Sequence, residues 1–200
     1  MSAETKTSSP DLSREYSLEE YRLLEDEAGY RYELVEGKLI MSPAPSNEHA
    51  WISDKLLLEL KLFLGANPAI GEVWSHAGFY LGKKPNGKDN VLEPDLGFLV
   101  AGRVPANSDL YLPYPDLAIE VWSRSSDLDG PARLKKAREK LQIYLAAGTS
   151  IAWGINPVAQ EVEIYRREQP QVRQVLSVKA ELEGEALIPG FKIALARLFR

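Results

Sequence analysis

No cysteine occurs among the 200 residues, and there are only two histidines, His49 and His76. The first absence excludes disulfides, thiolate metal sites and a cysteine nucleophile together, and it suits a reducing cytoplasm. The scarcity of histidine leaves little material for a transition-metal site, so a metal here would take oxygen ligands, as magnesium, manganese or calcium do. No apolar run approaches the ~18–20 residues that a membrane span needs. Residues 1–14 are polar and hold no hydrophobic stretch of a secretory signal. A cytoplasmic protein without membrane contact is expected. Global positive charge is missing as well. The net charge is −5, whereas a duplex-DNA binder usually carries a basic footprint. Basic residues gather locally instead, at Arg133, Lys135, Lys136, Arg138 and Lys140. Such a run suits either a solvated helix face or a patch that meets phosphates.

What is present is ordinary for a globular chain, with 44% hydrophobic and 26% charged residues. The length suits one domain with a real core: a disordered tail over 1–14 and a single domain over 15–200. Ser17 with Glu20 makes a capping box, which opens a short helix over 18–26. Strands are expected over 30–35 and 38–41, joined by a tight turn at Glu36-Gly37. Ser46 or Asn47 then caps a long helix with Ile52, Leu56, Leu60, Phe63 and Leu64 on its apolar face, ended by Asn67-Pro68. Further strands are expected over 71–81, 90–100 and 115–122, with a loop over 101–114. Pro131 opens a second long helix that closes at Gly148. Strands over 151–155, 162–165 and 172–178 follow, and a last helix over 191–199. This order predicts an α/β (α+β) fold, with a mixed sheet flanked by helices and additional antiparallel strands. The apolar segment 191–199 would either close the core or pair two subunits, and a homodimer is expected.

Two acids stand out because they sit inside apolar strands. Alternation places Asp116, Ala118, Glu120 and Trp122 on one strand face, and Leu117, Ile119 and Val121 on the other. In the earlier strand, Glu93, Asp95 and Gly97 share a face. Ionised carboxylates are costly to bury unless paired or metal-bound. If the two strands are neighbours, Asp95 and Glu120 converge and ask for a cation, and two carboxylates with a backbone carbonyl and waters suit a hard dication. The competing reading has Glu120 facing solvent and Asp95 merely following Pro94 at a strand start. In the second helix Leu134, Ala137, Leu141, Tyr144 and Leu145 form an apolar stripe. Lys140 lies a quarter turn from its centre, so its ammonium can curl over the buried edge or stay at the surface. His49, in the first turn of the long helix, either holds a water or phosphate at the positive helix end or serves as a plain surface residue.

Taken in order, several segments resemble the Uma-type putative restriction endonuclease family, within the PD-(D/E)xK nuclease-like superfamily. They are Tyr32-Glu33-Leu34-Val35-Glu36-Gly37-Lys38-Leu39, Met41-Ser42-Pro43 with His49, Glu93-Pro94-Asp95-Leu96, and the strand Pro115 to Ser123. Lys140 with Tyr144, Ala147-Gly148 and Trp153-Gly154-Ile155-Asn156-Pro157 also match. The resemblance implies a restriction-endonuclease-like core and a bacterial enzyme that hydrolyses DNA phosphodiester bonds with magnesium or manganese. It implies Asp95, Glu120 and the Val121 carbonyl as metal ligands, and Glu36 as an acid joining them from the first hairpin. The superfamily lysine two residues after the glutamate is Trp122 here, so the resemblance moves the catalytic lysine to Lys140. Arg133, Lys136 and His49 are the expected substrate contacts, with Arg138 and Lys135 helping to steer DNA. The alternative is a non-catalytic nucleic-acid or protein interaction module that keeps the fold.

Overall fold

The computed structural model describes residues 9–24, 30–43, 45–107, 110–122 and 130–199. Of the expected tail, residues 1–8 lie outside the described residues. Residues 9–14 carry a turn in which Ser13 N donates to Asp11 Oδ1 at 2.8 Å, and Arg14 pairs with Glu20 at 2.7 Å. Helix α1 (Leu18–Arg22) starts on the expected capping box. Strands β1 (Tyr30–Val35) and β2 (Lys38–Pro43) pair antiparallel, with Val35 opposite Lys38. The two turn residues Glu36 and Gly37 both take positive φ, 50° and 77°. A two-residue hairpin loop needs that geometry, because its twist then matches that of the strands.

Helix α2 (Asn47–Ala66) begins where the Ser46 hydroxyl accepts from His49 N. After it come β3 (Gly71–Ser75), β4 (Phe79–Lys83), β5 (Asp89–Leu92) and β6 (Leu96–Val100). The sequence predicts one strand over 71–81 and one over 90–100, yet each is broken in two. His76, at φ 54°, and the segment Glu93-Pro94-Asp95 mark the breaks. At each break the chain crosses from one sheet to the other: β4 and β5 belong to a sheet of order β2-β1-β5-β4-β7, β3 and β6 to one of order β11-β10-β9-β8-β6-β3. Here β7 (Leu112–Pro113) is a short strand, β8 (Leu117–Val121) carries the expected acid, β9 is Ile151–Asn156, β10 is Glu161–Arg166 and β11 is Gln169–Ser177.

Helix α3 (Gly130–Ala147) is the crossover between β8 and β9, which pair in parallel. The six-stranded sheet is therefore covered on both faces, which explains why β8 and β9 are buried at every position. On one face Leu117, Ile119 and Val121 pack with Ile52, Leu56, Leu60 and Leu64 of α2. On the other, Ala118 packs with Tyr144, and Trp122 with Leu141 and Leu145, all from α3. Gly154 lies so close to Trp122 that a Cβ would stand 2.3 Å from its ring.

The expected helix over 191–199 is a correction. Its apolar residues fit both periods, and pairing decides: β13 (Lys192–Ala194) aligns with β12 (Glu181–Glu183), and only Leu195–Arg197 makes a 3₁₀ turn. Phe191, Ile193, Leu195 and Leu198 are buried in the chain's own core, so this segment closes the fold. Among the described residues, no helix is long and apolar enough to cross a membrane.

Candidate active site

The antiparallel register of β6 and β8 sets Leu96 opposite Ile119 and Gly97 opposite Ala118. One step further, Asp95 comes to the level of Glu120. Asp95 is fixed at both oxygens: Oδ2 accepts from Val121 N at 2.7 Å, and Oδ1 lies 2.8 Å from His49 Nε2. Glu120 is only 8% exposed, so it faces α3 rather than solvent. Its Oε1 accepts from the Tyr144 hydroxyl at 2.8 Å and lies 2.9 Å from Lys140 Nζ. The Lys140 ammonium does curl over the sheet edge. It bridges Glu120 to a third acid, Glu33 of β1, also at 2.9 Å.

Glu33 is the acid contributed by the first hairpin, and Glu36 is not. Glu36 sits exposed at the turn, its backbone N–H donating to Asn90 Oδ1, outside the cavity described below. Glu33 is buried, and its Oε1 also accepts from Glu93 N at 2.7 Å, which ties β1 to the break before Asp95. The signal was present in the strand: Glu33 stands between Tyr32 and Leu34, the same embedded position that marks Glu120. Tyr144 also belongs to the cluster. Its place in the helical stripe hides a hydroxyl that finds Glu120, and its spacing of four from Lys140 puts both on one helix face.

Glu33 and Glu120 thus share one ammonium, with the Asp95 carboxylate close enough to be felt by it. Burial pushes the Glu120 carboxyl up to about 8; Lys140 opposes this, while Asp95 and Glu33 reinforce it. For Lys140, burial favours the neutral amine, but Glu120 and Glu33 outweigh it and hold the ammonium above its ordinary range. Burial, with Glu120 beside it, also raises the Tyr144 phenol.

A cavity of about 640 Å³ opens onto this cluster. Glu33, Asp95, Glu120, Val121 and Lys140 line it, as do His49, Arg133 and Lys136. All the expected site residues except Glu36 therefore meet in one place. Arg138 does not join them: its guanidinium binds Glu163 at 2.6 and 2.9 Å. Lys135 lies at the surface, 3.9 Å from Glu139.

Among the described residues no three Asp, Glu, His or Cys side chains form a ready-made metal cage. The donors present are two carboxylates, Asp95 and Glu120, and a backbone carbonyl at Val121. That sparse oxygen set, in a cluster with excess negative charge, fits magnesium or manganese, which keep most of their waters. It does not fit a closed zinc site.

Known proteins bear on the fold and the family. A crystal structure of a putative nuclease belonging to DUF820, from Anabaena variabilis ATCC 29413, matches with a TM-score of 0.75 at 22% identity, over 91% of this chain and 96% of that one. At that identity the likeness speaks for the fold alone, a mixed α+β fold shared with a nuclease-like protein. No curated protein matches the chain. The family model Uma2, described as a putative restriction endonuclease, matches residues 18–196, nearly the whole length. The chain belongs to that family.

Proposed function

We propose that the cavity is the active site of an endonuclease that uses magnesium or manganese to hydrolyse DNA phosphodiester bonds. The observation that carries this reading is the meeting of Asp95, Glu120, Glu33 and Lys140, from separate elements, on the wall of one open cavity. Asp95, Glu120 and the Val121 carbonyl would hold the ion, which when bound supplies a Lewis acid for a phosphate oxygen and lowers the pKa of a water. His49 keeps Asp95 in place through the 2.8 Å contact. Lys140, held between Glu33 and Glu120, orients the attacking water and offsets charge that builds on the phosphate. Tyr144 fixes the second carboxylate by its hydrogen bond to Oε1. Arg133 and Lys136, on the same cavity, meet the phosphate backbone, which locates a polyanion on a protein whose net charge is −5.

Cleavage of supercoiled plasmid and of labelled duplex, with and without chelator, tests the proposal. The wild-type chain is expected to nick DNA only with magnesium or manganese. Asp95→Ala and Glu120→Ala are each expected to lose at least ~100-fold in rate with an unchanged circular dichroism spectrum. Undiminished nicking by both variants, or full activity in chelator, sinks the mechanism. DNA binding without any metal-dependent cleavage is the outcome expected of the interaction-module alternative.

A further inference from the structure

Helix α2 is amphipathic in an unusual way. Ile52, Leu56, Leu60 and Leu64 point into the core. The opposite side should be polar, yet Leu58 is 51% exposed, Leu62 65% and Trp51 38%. At 100° per residue these three fall within about 40° of one another, so they form a single row along the outer face. Gly65 continues the row, and a side chain added there would meet nothing within 4 Å. Asp54 and Lys61, both exposed, run along one flank of the row. The neighbouring acid Glu59 is taken by Lys55 and Arg197. Among the described residues, Asp54 and Lys61 make no ion pair.

We propose that this face is the contact between two copies of the chain, packed antiparallel about a two-fold axis through Leu58. In that arrangement Leu58 meets Leu58 of the second copy. Trp51 lies over Gly65 of the second copy, where there is room for an indole. Asp54 faces Lys61 of the second copy, and the symmetry makes the ion pair twice. A flank negative at one end and positive at the other complements itself when the two helices run in opposite directions, the arrangement in which the same flanks meet. That charge pattern, together with the leucines, selects a second copy as the occupant. Asp54 also lines the cavity, so the contact brings Lys61 of the second copy to its mouth. The pairing requires no catalytic chemistry and stands apart from the proposed activity.

Sedimentation equilibrium of the full chain over a wide concentration range tests it. The apparent mass is expected to rise from 22.3 kDa towards twice that value. Leu58→Glu sets two carboxylates on the axis and is expected to weaken association at least ~10-fold, with no change in secondary structure, because the side chain faces away from the core. Asp54→Lys alone and Lys61→Asp alone are each expected to weaken it, and the double exchange to restore it. A chain that stays monomeric throughout overturns the proposal. So does a dimer that none of these changes moves, or a double exchange that fails to restore what the single ones lose.

Discussion

Helix α3 rests on two buried carboxylate clusters of opposite character. Under one side, Glu163 of β10 is 3% exposed and receives Arg138 from the helix, Arg173 from β11 and the Tyr165 hydroxyl, all within 2.9 Å. Two positive charges serve one negative. Burial pushes the Glu163 carboxyl up, but the hydrogen bonds from Arg138 and Tyr165 and the arginine charges more than reverse that, and its pKa is lowered. On the other side, Glu120 and Glu33 share the Lys140 ammonium, Asp95 adds a third carboxylate nearby, and the Glu120 carboxyl rises to about 8. One helix thus spans an acid held by two guanidinium groups and a pair of acids held by one ammonium. The first arrangement is complete and fastens the helix to the sheet. The second opens onto a cavity, and a buried carboxyl with a strongly raised pKa in such a place is the pattern expected of a catalytic or binding site. Residue type does not separate the two clusters; charge balance does.

The largest expected effect that tests this contrast is on stability. Glu163→Gln leaves Arg138 and Arg173 facing each other across a neutral amide. Removing one partner of a fully buried pair costs ~3–5 kcal/mol, and because these guanidinium side chains are 34% and 45% exposed, about 2–3 kcal/mol is expected. Urea unfolding at neutral pH measures it. Glu120→Gln is expected to behave differently in chelator, leaving stability at neutral pH unchanged or raised, because a neutral amide avoids the burial penalty on the carboxylate. Equal losses in the two variants would erase the distinction between a fastening and a site.

The acid pair on β6 and β8 was legible because period-two alternation is a local property: it set Glu120 among apolar neighbours, and pairing then brought Asp95 beside it. Motif position pointed to Glu36; the alternation that singles out Glu120 applies equally to Glu33, between Tyr32 and Leu34, but played no part in that assignment. The breaks at His76 and Glu93-Pro94-Asp95 were less visible. Each half of those segments reads as strand, and only the presence of two sheets forces the chain to bend between them. Arg138 was counted with the phosphate-binding cluster because Glu163 lies 25 residues away in sequence, and long-range ion pairs leave no periodic trace. The segment 191–199 satisfied helical and strand spacing alike, so its pairing partner, β12, had to decide.

The last expected effect is a difference in pH dependence, and its sign rather than its size separates the clusters most cleanly. Glu163 has a lowered pKa in the folded chain, so it binds its proton less tightly folded than unfolded. Its stabilisation is present above the unfolded value, 4.5, and is lost as pH falls through the lower folded value. Glu120 has a raised pKa, so the folded chain binds its proton more tightly. Its contribution is fully present below 4.5 and is lost as pH rises towards about 8. In chelator, the stability deficit of Glu163→Gln should therefore shrink as pH drops below about 4.5. The stability of Glu120→Gln relative to the wild-type chain should instead improve between pH 5 and 8. Magnesium, by binding only the folded wild-type site, should flatten the second trend and leave the first untouched. Two variants whose differences from wild type ran parallel with pH would show that both acids do one job.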